Sequence, residues 1–246
     1  MKTNKYQRRF YRDWVKPGDL YLAHIREKET DLEILTNRLL DKDFLKDRLL
    51  EYRFAIESYI AKDRRFLTAL KPLEVELNAP RIVKEMSKEA KLANVGPMAG
   101  VAGAIAQFLG QDLLRRGYKD VLIENGGDIF LKITKTRLIG IYAGKSKLWN
   151  KLSLKIGPLD TPLGVCASSG TIGHSLSFGI ADSVIILSKN ACLADMVVTA
   201  TANLVRSKKD LQRAVDFAKA IRGVVGIVVT LKNNLISWGK TEFVIS

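Results

Sequence analysis

A chain of 246 residues, with 47% hydrophobic and 27% charged residues and only six prolines, can bury a substantial core and is unlike a disordered composition. Its formal net charge of +14 is uneven: residues 1–76 carry 17 Lys/Arg against 14 Asp/Glu, and the remainder 23 against 12, so the later part attracts anions. Charges interrupt the amino-terminal stretch every few residues, which excludes a secretory apolar segment there. The longest uncharged run, Val95 to Gln111, is shorter than the roughly 20 apolar residues of a spanning helix, so a soluble cytoplasmic protein is expected.

Along the chain, Leu20 to Arg26 and Asp31 to Thr36 alternate or carry β-branched residues, predicting a hairpin with its turn near Lys28 and Glu29. Asp41 to Ala61 has helical spacing, with Phe44, Leu45, Leu49, Ala55, Ile56, Tyr59 and Ile60 on the apolar side. Another helix is expected after Pro80, which suits a first helical turn. Pro97 to Arg116 is again helical, and the small Gly100 and Gly103 would let another backbone or a ligand approach closely. Two short strands, Asp120 to Glu124 and Asp128 to Thr134, flank Asn125, Gly126 and Gly127, residue types that accept positive φ in a tight hairpin. Further strands are predicted at Arg137 to Tyr142, Leu152 to Ile156, Gly164 to Ala167 and Ser183 to Leu187.

Asn190 then offers a cap for a helix over Ala191 to Val205, followed by a helix from Lys209 to Ile221 and strands Val224 to Leu231 and Leu235 to Trp238. Helices and hairpins are mixed throughout, with no repeat or linker. The pattern predicts an α+β mixed layered fold with mainly antiparallel sheets and packed helices. A single domain over 1–246 is expected, with 1–92 as a hairpin and helical part and 93–246 carrying the site.

Three groups of residues have chemical potential. Asp195 and Thr199, four apart, share one face of the predicted helix, and Asp195 stands in an apolar run where a carboxylate needs a partner or a cation. Together they offer hard oxygen ligands for Mg²⁺. An acid favouring the helix dipole and a hydroxyl bonded to its own helix account for the same two residues. The loop Ser168, Ser169, Gly170, Thr171 ahead of His174 follows a strand. Its N–H groups and hydroxyls suit a pyrophosphate, and His174 suits general acid/base work, although a plain surface loop fits too. Asn125, Gly126, Gly127 and Asp128 need be no more than a turn. No G-x-S-x-G elbow, P-loop or strand-borne dinucleotide fingerprint is present. Cys166 and Cys192 have neither zinc nor disulfide-framework spacing and are expected to be buried, reduced thiols.

Taken in order, these pieces resemble the ApbE-like flavin transferase family, whose fold is related to the T-fold. The run Ala102 to Ile129 is similar to its helix, strand and Gly-Gly-Asp turn. Ala167 to Gly170 resembles its A-T-S-G loop, and Leu193 to Thr201 its A-D-x-x-x-T helix. The segments GPMAG, ENGGDIF, SSGTIGHS and Glu29 to Leu32 resemble the UPF0280 branch more narrowly. The resemblance implies FAD and Mg²⁺ as cofactors, cleavage at the pyrophosphate, and FMN transfer to a Thr or Ser of an acceptor protein. It implies Asp195 and Thr199 as metal ligands and His174 as the catalytic histidine. Flavin contacts would come from Gly103, Asn125 to Asp128 and Ser168 to Thr171. Where the family has Lys-Gly this chain has Ala102 and Gly103, with Gln107 at the usual acid, and the stretch after His174 is shortened. A protein that binds a flavin or another phosphorylated anion without transforming it is the alternative. Nucleic-acid binding lacks a motif, no membrane association is expected, and a homo-oligomer is compatible with the long amino-terminal helices.

Overall fold

A computed structural model describes residues 18–141, 149–168 and 179–245. Its strands form two antiparallel sheets. The first hairpin pairs β1 (Tyr21–Glu27) with β2 (Thr30–Thr36), and Lys28 takes the positive φ of its turn. β3 (Val121–Asn125) pairs with both β2 and β4 (Asp128–Lys132). With β7 (Leu163–Ser168), β8 (Ser183–Ser188), β9 (Val224–Leu231) and β10 (Asn234–Gly239) these complete an eight-stranded sheet, ordered β1-β2-β3-β4-β7-β8-β9-β10. A second sheet, β11-β6-β5, contains β5 (Arg137–Gly140), β6 (Leu152–Ile156) and β11 (Phe243–Ile245).

The large sheet is covered on both faces, which explains its strand composition. Along β8, Val184 and Ile186 join the core shared with the helices, while Ile185 and Leu187 join the core shared with the small sheet through Leu154 and Ile156. A strand buried on both sides reads as an uninterrupted apolar run instead of alternating. Each such Ile or Leu contributes about 1.5–3 kcal/mol on burial. The three layers are therefore helices, large sheet and small sheet, the mixed layered α+β arrangement expected from the sequence.

On the helical side, α1 (Lys42–Lys62) starts where the Asp41 carboxylate accepts from the Phe44 N–H, and it buries Leu45, Leu49, Tyr52, Ile56 and Tyr59. The short α2 (Arg65–Thr68) follows. α3 (Arg81–Ala93) begins one residue after Pro80, so the proline stands at the cap and not inside the first turn. A 3-10 turn, Pro97–Gly100, leads into α4 (Val101–Arg115). α5 (Ala191–Leu204) is capped by Asn190, whose side chain accepts from the Leu193 N–H at 3.0 Å. α6 (Leu211–Ala220) starts later than expected, because Lys208–Asp210 forms a 3-10 turn. Both α2 and β11 lack a distinctive pattern in the sequence. The strand expected to reach Tyr142 ends at Gly140, and Tyr142 lies outside the described residues. Among the described residues no single helix is long and apolar enough to cross a membrane.

Candidate functional site

The β3–β4 hairpin is closed by two glycines. Asn125 pairs with Asp128, and between them Gly126 and Gly127 have φ of 71° and 103°, a backbone that side-chain-bearing residues rarely adopt. The turn is tied down on both sides. Gly127 N–H donates to the Glu124 carboxylate at 2.6 Å, and the Gly127 carbonyl accepts from Ala167 N–H at 3.2 Å. In the next strand pair Asp128 faces Cys166. The hairpin therefore lies beside the end of β7, where Ser168 is the last strand residue.

Asn125 carries the hairpin to helix α4, its side-chain amide donating to the Ala102 carbonyl at 3.2 Å. The next residue, Gly103, donates its N–H to Asp195 on α5 at 2.9 Å. Gly103 sits in the first turn of α4, where main-chain N–H groups have no partner within the helix, so the Asp195 carboxylate serves that helix end as an anion. A side chain at Gly103 would not fit: a Cβ there would fall 2.3 Å from the Ala191 carbonyl oxygen and 2.9 Å from Asp195 Cβ. The small face of α4 thus receives a backbone, that of α5. Gln107 completes this joint, its buried side-chain oxygen accepting from the Ala191 N–H at 2.6 Å.

Electrostatically, the locus is an acidic group kept out of water. Asp195 is 7% exposed, and burial raises its pKa from 3.8 to about 7 although the N–H groups of Gly103 and Ala102 pull it down. Burial also pushes the Cys166 thiol up, and the neighbouring carboxylates of Asp128 and Asp195 add to that shift. Cys166 donates to the Ala191 carbonyl at 3.4 Å, and both cysteines are buried and free. Thr199, one turn beyond Asp195, is half-buried; the nearby Thr201 is buried, and its hydroxyl has no hydrogen-bond partner among the described residues.

The structure thus brings Gly103, Asn125 to Asp128 and Asp195 to one place, with Ser168 at the end of the adjoining strand and Thr199 one helical turn away. Ser169, Gly170, Thr171 and His174 lie outside the described residues. Three elements of the locus were not singled out as participants from the sequence: the Ala102 carbonyl, Gln107 as the α4–α5 tie, and Cys166 beside two carboxylates. Only Gln107 carried a signal, a polar residue inside an uncharged helical stretch.

The donors present suit one kind of metal site and not another. No group of three or more His, Cys, Asp or Glu side chains able to hold a metal occurs among the described residues, so an all-protein cage is absent there. A single buried carboxylate with a hydroxyl one turn along the same helix does match Mg²⁺, which keeps waters and phosphate oxygens as its remaining ligands.

Comparison with known proteins agrees with this fold. A family model described as AbpE bacteria matches residues 12–236. A UPF0280 protein of Methanocaldococcus jannaschii is 39% identical over 221 residues, covering 87% of this chain and 88% of the relative. Among solved structures, the flavin transferase ApbE from Vibrio cholerae superposes with a TM-score of 0.60 at 15% identity, covering 90% of this chain and 97% of the other. The apo form of Pseudomonas stutzeri flavinyl transferase ApbE gives 0.55 at 14% identity, with 90% and 94% covered.

Proposed function

We propose, since this chain belongs to the AbpE bacteria family, that it handles a flavin nucleotide in a Mg²⁺-dependent way, cleaving FAD at its pyrophosphate or passing FMN to a Thr or Ser of an acceptor protein. The observation that carries this reading is Asp195, a carboxylate kept buried against the first turn of α4 beside the 125–128 hairpin. Burying a charge without a cation is costly, and a hydrogen-bonded amide would cap the helix as well. In this proposal the charge serves a cation as well as the end of the helix.

In this reading Asp195 and Thr199 hold Mg²⁺, Asn125, Gly126, Gly127, Asp128 and Ser168 line the flavin nucleotide, and Gly103, packed against Ala191, orients the Asp195 carboxylate through its N–H. Ser169, Gly170, Thr171 and His174 join them on sequence grounds alone, His174 as the residue that moves a proton. Mg²⁺, when bound, supplies positive charge to the oxygens that gain negative charge as the pyrophosphate is cleaved. The chain's own part is positioning: the α4 N–H groups fix the direction of the Asp195 carboxylate, and the two-glycine turn lets main chain come close to a ligand.

Release of AMP from FAD, with and without Mg²⁺, tests the proposal in the wild type and in Asp195→Asn. Turnover that needs Mg²⁺ and disappears in the variant supports it; no turnover by the wild type ends it. A second reading, a protein that holds a flavin or other phosphorylated anion unchanged, is favoured by Gln107. This residue stands where the resemblance places an acid, and its side-chain oxygen is engaged by the Ala191 N–H. Saturable FAD binding without AMP release selects that reading, and absence of binding removes both.

A further inference from the structure

Positive charge collects around α6 without acids to answer it. Residues 206–222 hold Arg206, Lys208, Lys209, Arg213, Lys219 and Arg222 against Asp210 and Asp216, a surplus of four in a chain whose whole net charge is +14. All six cations are exposed, and among the described residues none of them makes an ion pair. On α1, by contrast, Arg48, Arg53 and Lys62 each meet a carboxylate. Helix α6 turns Leu211, Ala214, Val215 and Ala218 inward, which leaves Arg213 and Lys219 on its solvent side with Gln212 and Asp216.

The stability of α6 does not account for this placement. Acids stabilise the amino end of a helix and cations there oppose its dipole, yet Lys208 and Lys209 form the preceding 3-10 turn and Arg213 stands in the first helical turn. Asp210 is engaged elsewhere, accepting from Arg206 N–H at 3.1 Å and from the Ser207 hydroxyl at 2.9 Å, and Asp216 accepts from the Gln212 amide at 2.9 Å. Lys219 lies 5.5 Å over the Trp238 ring, so an aromatic and not an acid places it.

The chemistry of the face discriminates among anionic partners. Among the described residues from 181 to 244 no large hydrophobic side chain is exposed, so nothing here enters a bilayer. Phe217 and Trp238 are half-buried, which leaves a nucleic-acid base no ring to stack on. A phosphate backbone is charged throughout, whereas Asp216 interrupts the cations between Arg213 and Lys219. A peptide can set carboxylates against the cations and a neutral side chain against Asp216 and Gln212.

We infer that the outer side of α6 and the turn before it are a docking surface for an acidic segment of a partner protein, whose carboxylates meet Lys208, Lys209, Arg213 and Lys219. The surface does not depend on the flavin reading. Fluorescence anisotropy of a labelled deca-glutamate peptide, titrated with the full chain at low and at raised ionic strength, tests it. Saturable binding weakened by salt is expected. Lys208→Gln with Lys209→Gln, and separately Arg213→Gln with Lys219→Gln, should each weaken it about tenfold, the loss of two ion pairs. Lys42→Gln with Lys46→Gln removes the same charge from exposed positions on α1 and should leave binding within about twofold, which separates this face from the overall positive charge. Because the replaced α6 side chains are exposed and outside any ion pair, the variants keep the fold; equal thermal midpoints check this. Absence of saturable binding overturns the inference, and so does equal weakening by the α1 pair. Tighter binding of an oligothymidylate of the same charge, or of phosphatidylglycerol vesicles, lost in the same α6 variants, overturns it in favour of a nucleic acid or a membrane.

Discussion

Replacing Gly103 by alanine sets two effects of known sign against each other. Within a helix, alanine is favoured over glycine by about 1 kcal/mol, so local propensity predicts a more stable protein. The surroundings predict the reverse. The added Cβ would stand 2.3 Å from the Ala191 carbonyl oxygen and 2.9 Å from the Ala191 carbonyl carbon, both main-chain atoms. They cannot swing aside, because the start of α5 is held by the Asn190 cap and by Gln107. Restoring ordinary contact requires α4 and α5 to separate by on the order of 1 Å. That movement stretches the 2.9 Å bond from Gly103 N–H to Asp195 beyond useful range. Overpacking costs about 1–3 kcal/mol, and a hydrogen bond to a charged group is worth about 1.5–3 kcal/mol. After the propensity gain, a net loss of about 1.5–5 kcal/mol remains. For a domain of this size the unfolding midpoint should fall by roughly 3–20 °C. Urea unfolding measures it as a lowered midpoint concentration with unchanged slope. A Gly103→Ala protein as stable as the wild type, or more stable, would refute the close α4–α5 contact.

Two further outcomes follow from the helical layer. Asn190→Ala removes the acceptor for Leu193 N–H and the bond from its amide to Glu85, and should cost about 1–2 kcal/mol in the same urea assay. Burial works to raise the Asp112 carboxyl, but hydrogen bonds from Arg48, Tyr52 and Arg115 outweigh it and leave the folded pKa below 3.8. The stabilisation is then fully present above the unfolded value near 4 and is lost as pH falls through the lower folded value. Asp112→Asn should cost about 1.5–3 kcal/mol at pH 7. Its unfolding midpoint should decline less steeply than that of the wild type between pH 5 and pH 3, and parallel declines would exclude Asp112 as the source.

How much of this was visible in the sequence depends on how local the cause is. The 125–128 hairpin was legible because two adjacent glycines answer a backbone requirement within four residues, and α5 because Asn190 caps it directly. β8 was legible from its Val/Ile run, yet nothing in that run says that a second sheet covers Ile185 and Leu187. β11 was missed because its three residues matter only through their pairing with Leu152 to Leu154. For the candidate site, motif order drew attention to Gly103, Asn125 and Asp195 separately. Their meeting is a contact between residues 92 positions apart, and only the packing of α4 on α5 creates it. The small face of α4 left open whether a ligand or a backbone approached; the distance to the Ala191 carbonyl oxygen identifies a backbone at Gly103.

That contact gives Asp195 two roles that stability measurements can separate. As a cap for α4 the residue needs only an oxygen acceptor, which asparagine also provides. As a metal ligand it needs the charge, and the charge is held where burial raises its pKa from 3.8 to about 7. Below the unfolded value near 4 the carboxyl is neutral in both states and the burial penalty is absent. Between 4 and 7 the unfolded chain ionises first, and above 7 the whole penalty, on the order of 4 kcal/mol, weighs on the folded state. In chelator-containing buffer at pH 8, Asp195→Asn should therefore be more stable than the wild type, by an amount that shrinks as the pH is lowered towards 4. Thermal or urea unfolding across that range measures the difference. A variant less stable than the wild type at every pH would show that the carboxylate is there for the fold; a more stable one marks a charge retained at the expense of stability, as a binding site requires.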